Sequence, residues 1–187
     1  KYSIDTNLWS RSIEGSELEE PSYVPPEDIY EWTTAPTAET LEIEVGFEDG
    51  YPVSLDGTET EPVALIEELN DLAGGYGVGR SDIMEDRMLG LKVRENYEHP
   101  AATVLLNAHA ALEDLVLTKA ERTFKKRVDH EWSEKGYQGL VNAPLVDALE
   151  GFIAETQTRV TGTVTIRFEG GQARPVGRSS KYAVYSA

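Results

Sequence analysis

At 187 residues the chain has the size of one ordinary domain, and its 40% hydrophobic and 27% charged composition excludes disorder of the whole. Its longest apolar runs, such as Ala101-Ala102-Thr103-Val104-Leu105-Leu106, fall far short of the roughly 18–20 residues that cross a bilayer, and the lack of cysteine excludes disulfide scaffolds, thiol nucleophiles and thiolate zinc sites. Thirty-four acids against 17 bases give a net charge of −17, which disfavours a nucleic-acid partner because that affinity comes mostly from Lys and Arg contacts to phosphate.

The acidity belongs to the N-terminal third: residues 1–61 hold 16 acids and only Lys1 and Arg11 as bases. It reads as a solvated surface, with adaptation to high salt as the alternative. The chain opens at Lys1 without Met, basic n-region or apolar h-region, so it reads as a fragment and not as a signal peptide. The cysteine-free composition fits a reducing compartment, and the expected location is the cytoplasm.

Residues 1–40 read as an irregular connector, with prolines at 21, 25, 26 and 36 breaking periodicity and Tyr23, Tyr30 and Trp32 pinning the stretch over another surface. Residues 41–187 read as the body. Leu41–Phe47 alternates apolar with polar, Glu48-Asp49-Gly50 turns, and Tyr51–Leu55 alternates again, a β-hairpin with one wet face. From Pro62, the spacing of Leu65, Ile66, Leu69, Leu72 and Ala73 predicts a helix that Gly74-Gly75 stops. Gly79–Leu91 reads as two short strands around Glu85-Asp86-Arg87. A helix follows Pro100; Thr118 and Glu121 form a capping box that starts a second; a third follows Pro144. Val160–Phe168 then alternates, and Gly170-Gly171 returns the chain through Ala173–Val176, a second hairpin able to pair with the first. The order predicts an α+β fold: an antiparallel sheet built from two hairpins and short strands, with helices packed on one side.

Few residues carry recognisable chemistry. The cluster Gly74-Gly75-Tyr76-Gly77-Val78-Gly79 lacks the dinucleotide spacing and follows a helix where that fingerprint follows a strand, so it reads as a helix end. His99, His109 and His130 lack metal-ligand spacing, and His109 reads as a structural contact. No G-x-S-x-G elbow marks a serine nucleophile, and no catalytic, cofactor-binding or metal-ligating residue is assigned. The most site-like stretch is Gly77–Tyr97, where Arg80, Asp82, Glu85, Asp86, Arg87, Lys92 and Arg94 lie between apolar pairs. It suits either a small zwitterion or a structural ion network.

Five segments in order resemble argininosuccinate synthase: Tyr2–Gly15 (Y-S-I-D-T-N-L-W-S-R-S-I-E-G), Pro25–Thr33, Gly77–Arg87 (G-V-G-R-S-D-I-M-E-D-R), Tyr97–Ala102 and Glu155–Val164. The resemblance implies the synthetase and multimerisation part of an ATP-dependent ligase, which condenses citrulline with aspartate and releases AMP and diphosphate. It implies that ATP, with Mg2+, is held mainly by a separate N-terminal ATP-pyrophosphatase domain. That domain and the family's C-terminal helix are expected to lie outside this chain, which alone is expected to be inactive. It implies a homo-oligomer, tetrameric in the full protein, with neither nucleic acid nor membrane as partner. Matched motif to motif, the citrulline-binding residues are Ser3, Ser12, Glu85 and Tyr97. The hydroxyls donate or accept toward a ureido or carboxylate group, and the carboxylate accepts from N–H groups. Asp86 stands where the family commonly has Asn. The alternative is a non-catalytic oligomerisation or binding module on the same fold.

Overall fold

The computed structural model describes residues 1–185. In chain order the strands are β1 (Ser3–Thr6), β2 (Arg11–Glu14), β3 (Leu41–Glu48), β4 (Tyr51–Leu55), β5 (Thr58–Glu59), β6 (Arg80–Asp86), β7 (Lys92–Glu98), β8 (Gly162–Glu169) and β9 (Gln172–Ser179). The helices are α1 (Pro62–Gly75), α2 (Pro100–Val116), α3 (Lys119–Tyr137) and α4 (Pro144–Gln157). Pro62, Pro100 and Pro144 each occupy the first helical turn, where a missing N–H costs nothing.

The two sequence hairpins pair through β3 and β8 into a five-stranded antiparallel sheet ordered β5-β4-β3-β8-β9. Its apolar face carries Ile43, Val45, Phe47, Val164, Ile166 and Phe168, and α1 and α2 close over it with Leu65, Leu69, Val104, Ala108 and Leu112. Burying each large side chain of this core stabilises the fold by about 1.5–3 kcal/mol. The α+β expectation holds, with one difference: the short strands do not extend this sheet but form a second one.

That second sheet has four antiparallel strands in the order β1-β2-β7-β6. It corrects two expectations. Residues 1–40 are not irregular throughout, since Ser3–Thr6 and Arg11–Glu14 are strands. The turn between them closes because the Asn7 side chain accepts from the backbone N–H groups of Trp9 (2.8 Å) and Ser10 (3.0 Å), a local motif that favours a turn. The second correction concerns the strands after Gly79. Their turn falls at 87–91 and not at Glu85-Asp86-Arg87, because Gly90 takes a positive φ of 78° and its N–H reaches Arg87 O at 2.7 Å. Met88 and Leu89, expected in a strand, are exposed in that turn.

The stretch after β2 does wrap over something. Leu18 and Ile29, each in a short 3-10 turn, pack with Ile13 of β2, and Tyr2, Tyr23 and Tyr30 border the cluster. At the other end, α3 and α4 form an antiparallel pair in which Phe124 and Phe152 meet edge to face at 5.1 Å. The Thr118 capping box is formed: Thr118 Oγ1 accepts from Glu121 N–H at 3.3 Å, and Glu121 Oε2 accepts from Thr118 N–H at 2.7 Å. Those bonds with Thr118, followed by the Arg159 guanidinium, hold the Glu121 carboxyl down at about 2. A carboxyl lowered in the folded state contributes stability that is complete above its ordinary value of 4.5 and is lost as pH falls through about 2. Thr118→Ala is therefore expected to lower stability by about 1 kcal/mol at neutral pH. Glu121→Gln removes the titrating group itself, and in chemical denaturation its difference from the parent chain should shrink as the pH is taken from 5 toward 2.

Candidate functional site

The register of the four-stranded sheet decides which side chains share a face, since alternate residues of a strand point the same way. Asp5 pairs with Ser12, Ser12 with Tyr97, and Tyr97 with Ser81, one row across all four strands. The neighbouring row runs from Ser3 to Glu14 and, on the inner pair, from Glu95 to Ile83. Glu85 pairs with Val93 one row further along. All four residues expected from the sequence, Ser3, Ser12, Glu85 and Tyr97, thus lie on one face. Directly paired residues hold their Cβ atoms about 4.5–5.5 Å apart, so Ser12 and Tyr97 are neighbours.

The structure brings Glu85 and Tyr97 together, with Tyr97 Oη donating to Glu85 Oε2 at 3.4 Å. Burial, then the hydrogen bond and charge of Glu95 and the charge of Glu85, push the Tyr97 phenol upward, so it is a neutral donor at any physiological pH. Ser3 is exposed on the edge strand, whereas Ser12, Glu85 and Tyr97 are half-buried. Sequence reasoning missed two carboxylates here. Glu14 and the buried Glu95 both accept from Arg87 Nη2, Glu14 at 3.2 Å, while Arg87 Nη1 lies 3.7 Å from Glu85. Asp86 points to the opposite face and takes Lys92 Nζ at 2.7 Å, with most of its side chain in water. Its charge replaces no contact on the Glu85 face.

The opposite face is the ion network that the sequence left open as an alternative. Arg94 grips Asp82 at 2.8 and 2.6 Å and donates to the carbonyls of Glu20 (2.9 Å) and Tyr23 (2.8 Å). Fully buried Glu98 accepts from Arg11 Nη1 (2.7 Å), from the N–H groups of Glu31, Trp32 and Thr33, and from Thr33 Oγ1 (2.8 Å). Arg80 lies on the Tyr30 ring at 4.0 Å and donates to Glu27 and Thr33. These bonds clamp residues 20–33 to the sheet and leave the other face open.

The glycine cluster is a helix end, as expected. It straddles the C-terminus of α1, the negative end of the helix dipole, and Gly77 and Gly79 pass under Pro36 and Pro100. Such a geometry repels phosphate, so these residues do not fit a triphosphate and no nucleotide step is assigned to them. His109 is a packing contact, edge-on to Phe47 and 2.7 Å from the Gln157 amide oxygen. His99 bridges Ser81 Oγ and Thr103 Oγ1. Among the described residues no group of three or more His, Asp or Glu is placed to hold a metal ion, and no helix is long and apolar enough to cross a membrane.

Residues 2–187 match the family model described as the arginosuccinate synthase C-terminal domain. The chain belongs to the argininosuccinate synthase family. It is 91% identical over its whole length to the argininosuccinate synthase of Natronomonas pharaonis, of which it covers 47%. It is 70% identical to that of Haloquadratum walsbyi and 66% to that of Halobacterium salinarum, in each case over the whole chain and 47% of the relative. The chain thus spans about half the length of the curated argininosuccinate synthases it matches.

Proposed function

We propose that the open face of the four-stranded sheet is the citrulline-binding wall of an argininosuccinate synthase, in which Ser3, Ser12, Glu85 and Tyr97 hold the amino acid. The observation that carries this reading is the register: four residues spread over 95 positions of sequence fall on one face of four adjacent strands. Glu85 accepts from N–H groups, and the hydroxyls of Ser3, Ser12 and Tyr97 complete a set of donors and acceptors for a zwitterion with a neutral ureido end. In this reading the wall positions citrulline while ATP, with Mg2+, and aspartate are held mainly by the remainder of the full-length protein, a cytoplasmic homotetramer. The chain by itself is then inactive.

Glu85→Gln in the full-length synthase tests the assignment. The substitution keeps the shape and removes a charge-assisted bond of about 1.5–3 kcal/mol, so KM for citrulline is expected to rise roughly ten- to hundredfold. ATP affinity measured without citrulline should stay within about twofold of the parent, a difference near 0.4 kcal/mol. Unchanged citrulline kinetics with a lowered melting temperature would leave Glu85 as a structural member of the Arg87 ion cluster.

A further inference from the structure

We propose that Arg87 is a positioning residue of this site: by binding Glu14 and Glu95 it ties down two of the three carboxylates around it and leaves the third, Glu85, free to receive a cationic group of the substrate. The inference rests on the reading of Glu85 as a substrate contact.

The geometry orders the three acids. Arg87 Nη2 donates to both Glu95 and Glu14, the latter at 3.2 Å, whereas Nη1 stands 3.7 Å from Glu85, beyond hydrogen-bond reach. The only hydrogen bond that reaches the Glu85 carboxylate among the described contacts is the long one from Tyr97, at 3.4 Å. Glu85 therefore feels the guanidinium field but keeps lone pairs to offer. Three carboxylates around one guanidinium leave this cluster with two surplus negative charges, and exposed Asp5 adds another on the same face, which suits an ammonium. A planar guanidinium can bridge two carboxylates with one edge and face a third with the other, which a lysine ammonium cannot reproduce.

Arg87 reaches this position from outside the strands. It follows β6 at the start of the 87–91 turn, where its own N–H bonds Leu91 O at 2.8 Å and its carbonyl accepts from Gly90. Nearby, Tyr137 of α3 donates to Asp86 O at 3.3 Å, tying the helix pair to the same strand end. The groups that face Glu14 are Glu95 from β7, Arg87 from the turn and Glu19 from the 3-10 segment. Burial and then Glu95 push the Glu14 carboxyl upward, while Arg87 opposes them. Removing Arg87 leaves the upward causes alone.

The experiment uses the full-length synthase with Arg87→Met and Arg87→Lys, read by citrulline kinetics and by the titration of Glu14 followed through 13C-labelled glutamate carboxyl signals. Arg87→Met is expected to raise KM for citrulline about tenfold, the scale of one charge-assisted contact, with kcat changed less than about twofold. It is also expected to move the Glu14 midpoint upward. Arg87→Lys should bring the midpoint most of the way back but recover KM only in part, because one ammonium cannot bridge the same pair. Adding Glu95→Gln to Arg87→Met should recover part of the lost KM by removing one unpaired carboxylate. A lowered melting temperature with KM and the Glu14 midpoint both unmoved would overturn the inference and leave Arg87 as a structural ion pair. If Arg87→Met does not fold, Arg87→Gln carries the same two readouts, and parent values for both overturn the proposal. The two readings separate cleanly: unchanged kinetics in Glu85→Gln would overturn the citrulline assignment, whereas an unmoved Glu14 midpoint in the charge-removing Arg87 variant would overturn the clamp whatever the ligand.

Discussion

Glu98→Ala is expected to cost about 3–5 kcal/mol of stability, the loss seen when one member of a buried, hydrogen-bonded ion pair is removed. The reason is the number of groups left behind. Glu98 is fully buried and accepts five hydrogen bonds, and its removal strands the Arg11 guanidinium, itself 3% exposed, together with three backbone N–H groups at residues 31–33. Arg11 would keep Ile29 O at 2.9 Å and the exposed Glu31 carboxylate at 3.0 Å, a partial compensation only. Denaturant titration of the chain checks the figure, and a loss below about 1 kcal/mol would show that water replaces the carboxylate. Because Glu98 neighbours Tyr97 on β7 but faces the other way, the same variant should loosen residues 20–33 before it disturbs the hydroxyls of the open face.

Gly79→Ala is expected to be comparably damaging for a different reason. Gly79 has φ +99°, and a Cβ there would stand 2.5 Å from Pro100 Cα and 2.6 Å from its nitrogen, backbone atoms that cannot swing away. Strain at such a φ costs about 1–3 kcal/mol, and forcing a methyl into a filled space adds about 1–3 kcal/mol. Gly90→Ala separates the two contributions, because Gly90 has φ +78° but no atom within 4 Å of an added Cβ. Thermal unfolding of both variants is the measurement. Equal losses would mean that the approach to Pro100 contributes nothing. Gly79 O also accepts from His99 N–H at 2.7 Å, so a shift here moves β6 against β7, the two strands that carry Glu85 and Tyr97.

Glu98 marks where the sequence stops being readable. The helices were legible because their signals are local: Pro62, Pro100 and Pro144 at the starts, apolar residues at 3–4-residue spacing, and a capping box complete within four residues of Thr118. Both hairpins of the larger sheet were legible because alternation and turn glycines sit side by side. Glu98 carries no local signal, since its partners Arg11 and Thr33 lie 87 and 65 residues away. The strands β1 and β2 are four residues each, too short for alternation to speak, and the proline-rich stretch behind them drew the whole N-terminus into one irregular reading. Met88 and Leu89 misplaced the β6–β7 turn because apolar residues are expected inside, and here they are exposed.

The candidate site shows the same division. Composition and spacing singled out Gly77–Tyr97 but could not separate a binding face from an ion network, and the structure shows why: polar side chains fill both faces of one sheet, the buried network on one and Ser12, Glu85 and Tyr97 on the other. Asp82, Arg94 and Glu98 serve the network, while Glu85, Glu95 and Tyr97 face away from it. Ser3 and Ser12 were reachable only through family resemblance, since a lone hydroxyl in a short segment has no distinguishing pattern.

The turn at 87–91 also sets how this part of the chain can change over evolutionary time. Pairing between β6 and β7 is fixed at its far end by Gly79, Arg80 and the Tyr97–His99 backbone, and each strand presents its side chains to alternate faces. Residues gained or lost at the exposed tip beyond Arg87 lengthen or shorten a loop without altering that pairing. A single residue gained between Ser81 and Glu85 has another effect, for it either bulges out or turns Glu85 toward Arg94 and the buried network. Length variation is thus free at one end of a seven-residue strand and forbidden at the other, and the boundary between the two regimes runs through Arg87.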